Sequence, residues 1–500
     1  MSANSILLPV LAHMFTAVAL LFCWKLVMLQ RIISVLGNLI ILIFSIFLFR
    51  EVWASGIQTM QAGGWPAPYG ISFVADVFSS TMVLLTGIAG LAVSIFSTVG
   101  VSKARMRFGY FPILHFLLMG LNGAFLTGDI FNLYVWFEII IIASFVLMTL
   151  GGRKPQIEGG IKYVTMNLLA SVIFLTAIGI LYGLTGSLNM ADLSQKVAEV
   201  QNRGLVNVTA LLFFVGFGIK SAVFPLYFWL PSSYHTPPSA IAAIFGGLLT
   251  KVGIYALLRV FTLIFIPDLF IKNTFLIVAA ATLLTGALGA MVKVDIRKIF
   301  SYLIVCHIGY MIAGLGLFTE VALAGAVFYL IHDVMVKTNL FLISGVIYKI
   351  KGTVNIKELG GMYSEYPKLS LTMAVVLFSL VGVPPLSGFW PKILLFKAGF
   401  DQSCYGLIGA ILFASFVTMY IIAKIWSEVF WKAAPPIETD HKDDFSKMKT
   451  FRKSLLVAPV ILLTIASLYI GFGAGHIMAV SAHIARELID PSAYIQAVLK

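Results

Sequence analysis

Charge is scarce in this sequence. Asp, Glu, Lys and Arg together make up 11% of its 500 residues, against roughly 25% in an ordinary soluble domain, which excludes a water-facing surface over most of the chain. Cysteine is as sparse: Cys23, Cys306 and Cys404 are scattered, without metal-ligand spacing, and read as packing residues. No Walker-type phosphate loop, haem-attachment motif, HExxH pair or Ser/His/Asp grouping is present, so ATP-driven transport and intrinsic redox chemistry lose support, and neither cofactor nor metal is expected.

What fills the sequence instead is apolar. It is 60% hydrophobic, with a mean hydropathy of +0.99. Runs of about 20 apolar residues, each enough for one membrane crossing, recur fourteen times, centred near residues 14, 41, 86, 118, 140, 173, 216, 249, 284, 308, 334, 380, 417 and 466. The first lacks the basic leader and small-residue cleavage site of a signal peptide and is read as a retained span. The expected fold is an all-α polytopic membrane protein of about fourteen transmembrane helices in the cell membrane. Its net charge of +13 would suggest nucleic acid in a soluble protein; here it is placed by topology. With both termini outside, 21 of the 34 Lys and Arg residues fall in cytoplasmic loops and 8 on the other face, as the positive-inside rule requires.

Against that background, Lys220, Lys251, Lys337 and Lys392 lie inside apolar runs, accompanied by Glu138 and His332. An ionisable group at bilayer depth costs a few kcal/mol or more and persists mainly where it faces a protein interior or a wet path. A lysine enclosed by apolar surroundings also gives up its proton more readily than one in water. The pattern is that expected of a proton pathway. Two spans are interrupted: Gly216-Phe-Gly-Ile-Lys220-Ser-Ala-Val-Phe-Pro225, and Gly382-Val-Pro384-Pro385-Leu-Ser-Gly388-Phe389-Trp390-Pro391-Lys392. Lys220 and Lys392 stand 172 residues apart, and Lys251 and Lys424, in the following spans, 173. Five spans separate the members of each pair, so the spacing predicts an inverted-topology repeat. Spans 1–3 would occupy 1–107, one five-helix unit 108–262 and the other 274–431, followed by a cytoplasmic loop at 432–454 and a last span at 455–478. Discontinuous helices of this kind tend to mark the ion route.

Nothing local neutralises Glu138, so a cationic partner on another helix is expected, with Lys220 the natural candidate. Lys251 follows Gly246 and Gly247, which leave room for close helix approach; a relay position and snorkelling to a headgroup are both open. Asp333 and Lys337 are four apart and share a helix face, with His332 about 100° away; a structural role for one of them is open, and a bridge between two half-channels, the second ending at Lys392, is the favoured reading. Lys424 lies nearer the cytoplasmic end of its span, where relay and snorkelling are equally open. His307 reads first as a packing residue, with a relay role as the alternative. Interface placement is the simpler account of Asp76 and Asp129.

The stretches Asp129-Ile-Phe-Asn-Leu-Tyr-Val-Trp-Phe-Glu138, Gly218-Ile-Lys220-Ser-Ala-Val-Phe-Pro225, His235-Thr-Pro-Pro-Ser-Ala, Leu249-Thr-Lys251-Val-Gly-Ile-Tyr and Gly382-Val-Pro-Pro-Leu-Ser-Gly-Phe resemble the proton-conducting membrane subunits of respiratory complex I. They are most similar to the MrpD-type subunits of multisubunit Mrp sodium/proton antiporters, over spans 3 to 13. The resemblance implies a Glu138–Lys220 coupling pair, then Lys251, then His332 or Lys337, and a terminal Lys392. Lysine at 392 argues against the complex I homologue that carries glutamate there. It also implies partners, the other Mrp antiporter subunits (A, B, C, E, F and G), with Na+, H+ and membrane lipid as the remaining contacts. The chain stops about 22 residues after its last expected span, so neither the lateral helix of the longest complex I homologue nor the C-terminal extension of MrpA is expected. Lysine offers no oxygen ligand for sodium, so this chain is expected to carry protons while sodium crosses elsewhere. The alternative is a proton-pumping subunit of a complex I-like oxidoreductase or membrane-bound hydrogenase.

Overall fold

Inside a bilayer every backbone N–H and C=O has to be satisfied within the protein, so long apolar runs fold as helices. The computed structural model describes residues 3–434 and 445–500. Its long apolar helices are α1 (Ser5–Phe22), α2 (Val27–Ser55), α3 (Val77–Gly100), α4 (Tyr110–Leu126), α5 (Ile130–Thr149), α6 (Lys154–Thr185), α7 (Arg203–Ser221), α8 (Ser239–Leu263), α9 (Leu269–Met291), α10 (Ile296–Leu317), α11 (Glu320–Lys351), α12 (Pro367–Val381), α13 (Tyr405–Trp431) and α14 (Thr450–Phe472). Twelve are long and apolar enough to cross a membrane, while α4 and α12 are shorter. Each of the fourteen expected centres falls within one of them. Among the described residues a hairpin of β1 (Gln58–Gln61) and β2 (Ser72–Ala75), paired antiparallel with Gln58 opposite Ala75, is the exception to the helical fold and was not expected.

Helix starts follow local chemistry. Asp76 caps α3 in a reciprocal capping box with Ser79, and Asp129, Asp268, Asp295 and Thr319 cap α5, α9, α10 and α11. The core runs through the middle of the chain: the apolar windows of α8 and α11 are 100% buried and that of α10 94%, against 33% for α1 and α2. The helices most enclosed by protein are those that carry Lys251, His307, His332, Asp333 and Lys337.

Both expected interruptions are present. Helix α7 ends at Ser221 and resumes at Trp229–Ser233; α12 ends at Val381 and resumes at Phe389–Asp401. Their backbone hydrogen bonds correspond: Val223 N–H donates to Gly218 C=O and Leu226 to Val223, as Val383 donates to Phe378 and Leu386 to Val383. That register is 160 residues, not 172, so Lys220 lies before its break whereas Lys392 lies after the other, and the two lysines are not at corresponding positions. A second correspondence sits at the helix starts. Ile130 N–H donates to Leu188 C=O and Met190 to Gly128, and 166 residues later Ile296 donates to Val354 and Ile356 to Val294.

The segment expected as a single span at 455–478 begins earlier and is divided: α14 ends at Phe472 and a further helix, Ala474–Ile489, continues beyond Gly473. Of the expected loop at 432–454, residues 435–444, including Lys442, lie outside the described residues, and the chain is already helical from Thr450.

Candidate functional site

The centre of the site is a buried carboxylate. Asp333, on α11, receives Lys251 Nζ of α8 at 2.7 Å on one oxygen and faces His307 Nδ1 of α10 at 2.8 Å on the other. All three side chains are fully enclosed, so Lys251 does not snorkel and His307 is a member of the cluster rather than a packing residue. A π-helical turn at Phe245–Leu249 precedes Lys251, whose ammonium also donates to Gly246 C=O at 2.7 Å. Such a turn offers a carbonyl that a regular helix would keep to itself. Lys337, one turn beyond Asp333, is fully buried and its Nζ has no hydrogen-bond partner among the described residues.

Two tyrosines extend this cluster. Tyr329 of α11 stacks on Tyr310 of α10 at 4.6 Å and presents its ring at right angles to both His307 and His332. Tyr310 OH lies 2.9 Å from Ser415 Oγ of α13, and that serine hydroxyl accepts from Lys392 Nζ at 3.2 Å. Lys392 also donates to Val381 C=O at 2.8 Å, a carbonyl released where α12 breaks, and stands 5.1 Å from the Tyr310 ring centre. His332 Nδ1 lies 2.8 Å from Ser387 Oγ, inside the same break. Gly388 is needed there, because a Cβ would collide with Ser379 C=O and crowd the His332 ring. The structure thus brings Lys251, Asp333, His307, His332 and Lys392 into one protein-enclosed region, with Gly388 against His332 and with Pro384 and Pro385 exposed in the break beside it.

The first half is arranged differently from expectation. Lys220 does not reach Glu138 within ion-pair distance. Its Nζ donates to Ser171 Oγ of α6 at 3.3 Å and sits 4.8 Å from the Phe137 ring centre. Glu138 is half-buried, and its Oε1 has no hydrogen-bond partner among the described residues. Beside Lys220 a cavity of about 20 Å³ is lined by Tyr163, Asn167, Trp229 and Tyr234; one water needs about 10–15 Å³ or more of such space. Pro225 lies in the loop between α7 and Trp229, whose indole donates back to Ile219 C=O at 3.0 Å. Lys424, half-buried in the last turns of α13, makes no polar contact among the described residues.

Known proteins supply the comparison. The chain is 42% identical over 498 residues, 99% of both chains, to a protein of Alkalihalophilus pseudofirmus that is named as the D component of a Na(+)/H(+) antiporter. It is 40% identical over the same share to one of that name in Bacillus subtilis. Its fold superposes on a chain of the Mrp complex from Dietzia sp. with a TM-score of 0.91 at 27% identity, covering all of both. A chain of an archaeal membrane-bound sulfane sulfur reductase, 24% identical with a TM-score of 0.89, shares the fold. The family described as NADH:quinone oxidoreductase/Mrp antiporter, TM, matches residues 127–418. The chain belongs to this family.

Within this NADH:quinone oxidoreductase/Mrp antiporter chain, several partners escaped the sequence reading. Ser171, Asn167, Tyr310, Tyr329, Ser387 and Ser415 are ordinary in composition, and only their contacts distinguish them. The 166-residue correspondence places Asn167 and Ser171 opposite Asp333 and Lys337, a register readable once the Asp129/Asn189 and Asp295/Asn355 pairs are noticed. Asp76 is not at an exposed interface: it is buried, in an ion pair with Arg259, whose guanidinium also faces the Tyr255 and Tyr494 rings.

Proposed function

We propose that this chain is the MrpD-type component of a multisubunit Na+/H+ antiporter and that it carries the proton limb of the exchange. On this reading it is part of a transporter rather than an enzyme and works within a hetero-oligomer of Mrp proteins in the cell membrane. The single observation that carries the reading is the enclosed Lys251–Asp333–His307 cluster, continued through Tyr310 and Ser415 to Lys392. A chain of groups that each take or give a proton, held inside the bundle away from lipid, is what a relay needs.

Protons enter the buried row at Lys220, whose water-sized cavity and half-buried neighbour Glu138 favour exchange, and pass by Lys251, Asp333, His307, His332 and Lys337 to Lys392. Two five-helix units of opposite orientation, α4–α8 and α9–α13, are supported by the matched hydrogen bonds at their helix starts and breaks, and the basic loops support both termini outside. Sodium is not expected here. Asp333, the fully buried carboxylate of the cluster, already has a nitrogen against each oxygen, leaving no free oxygen pair for a cation that wants several.

Everted vesicles containing the chain with its partner proteins test this. After a pH gradient is set, added sodium collapses it in the wild type, and Lys220→Ala abolishes the response. A wild-type complex that ignores sodium and pumps protons only with a redox donor would place the chain in a respiratory complex instead.

A further inference from the structure

A second feature lies away from the proton row, at the basic end of the bundle. A cavity of about 470 Å³ opens between the ends of α2, α3, α10, α11 and α14, and its wall holds Arg31, Lys103, Arg105, Arg153, Arg297, Lys349 and Arg452 with no carboxylate among the lining residues. That size falls in the ordinary range for a small-molecule site. Arg31 Nε, Arg105 Nε and Arg297 Nε are buried and lack a hydrogen-bond partner among the described residues. Burial and the neighbouring Arg153 both push the Arg105 guanidinium down from its ordinary value. Seven like charges around one space repel one another, and donors left unmade cost free energy; an anion in the cavity answers both. Arginine forks suit phosphate oxygens in particular.

The cavity is not isolated. An apolar groove of about 340 Å³, lined by Met28, Ile32, Val35, Leu36, Phe451 and Leu455, adjoins it and shares Arg31, Val99 and Arg452 with its wall. Met28, Ile32, Leu36 and Phe451 are exposed on the outside of the bundle, and the α2 residues from Met28 to Leu36 line about 12 Å of helix. A phosphate site whose rim continues into an outward-facing apolar groove has the polarity of a phospholipid, head inward and chain outward.

We propose that this composite site binds an anionic phospholipid, its phosphate among Arg31, Arg105, Arg297 and Arg452 and one acyl chain along the α2–α14 groove. The match of charge to cavity and of cavity to groove commits the site to lipid rather than to free phosphate. Basic pockets between transmembrane helices take anionic headgroups, each cation near the surface contributing roughly a fivefold gain in affinity. The inference does not rest on the proton pathway.

The test uses the complex purified with its partner proteins and exchanged into micelles holding equal amounts of phosphatidylglycerol and phosphatidylcholine. Native mass spectrometry then counts the lipid retained. The wild type is expected to keep phosphatidylglycerol in preference, with the excess reduced about twenty-five-fold in the Arg105→Gln/Arg452→Gln variant and unmoved by inorganic phosphate at millimolar excess. Leu36→Asn, which alters the groove alone, is expected to lower retention without removing the preference for the anionic lipid. Displacement by inorganic phosphate would make the cavity a free-anion site, and equal retention by the double variant, assembled with its partners and keeping its phosphatidylcholine, would overturn the proposal altogether.

Discussion

At the scale of single residues, the decisive contact is between Lys251 and Asp333. Two opposite charges in a fully enclosed place are tolerable together and costly apart. Asp333→Asn is therefore expected to destabilise the assembled complex by about 3–5 kcal/mol and to stop antiport. Lys251→Met combined with Asp333→Leu should recover most of that stability while remaining inactive. Thermal denaturation of the purified complex, read beside the vesicle assay, separates these outcomes; equal losses in the single and double variants would mean that the pair is not what holds α8 to α11. Lys220 belongs to a different class. Its one hydrogen bond among the described residues, at 3.3 Å to Ser171, gives it little structural weight, so Lys220→Ala in the vesicle experiment is expected to be a functional lesion more than a folding one.

At the scale of elements, the interrupted helices matter most. Each break exposes carbonyls that a continuous helix would occupy, and Lys392 uses one of them at Val381. The turn at Gly382 has φ +85°, the left-handed region, and a Cβ there would lie 2.9 Å from Gly388 C=O and 3.4 Å from Lys392 Cδ. Gly382→Ala is expected to cost about 1–2 kcal/mol in backbone strain alone and to displace Lys392, lowering both the denaturation midpoint and the antiport rate. Ala222, at the corresponding place in the first break, already has φ 60°, so the chain accepts this strain once. An unchanged rate in Gly382→Ala would detach the position of Lys392 from transport.

At the scale of the whole molecule, the proposed orientation follows from the arrangement of basic residues. With Cys23, Cys306 and Cys404 replaced by alanine, a single Lys500→Cys should react with an impermeant thiol reagent in right-side-out vesicles. Lys103→Cys should react only after permeabilisation. The reverse pattern would invert the proposed topology. Orientation also decides which leaflet supplies the lipid for the basic cavity, because Lys103 lies in its wall.

Much of this was legible in the residues themselves. Hydrophobic run length, the shortage of charge and the cost of a buried lysine are local properties, so the helical membrane fold, the positions of its helices and the identity of Lys220, Lys251, Lys337 and Lys392 as buried groups needed no knowledge of neighbours. Pro225 and Pro384 marked the breaks for the same reason, since proline and left-handed glycine act on their own backbone. Pairing is another matter. Lys220 meets Ser171 from 49 residues away and Arg259 meets Asp76 from 183, while His307 joins Asp333 instead of packing among apolar side chains. Helix rotation and axial shift decide which faces meet, and both arise from the sum of many weak packing contacts along α6, α8, α10 and α11. That Lys220, Lys251, Lys337 and Lys392 are buried therefore follows from run length and composition, whereas what each of them touches, like the burial of Asp76 with Arg259, is set by how the helices pack.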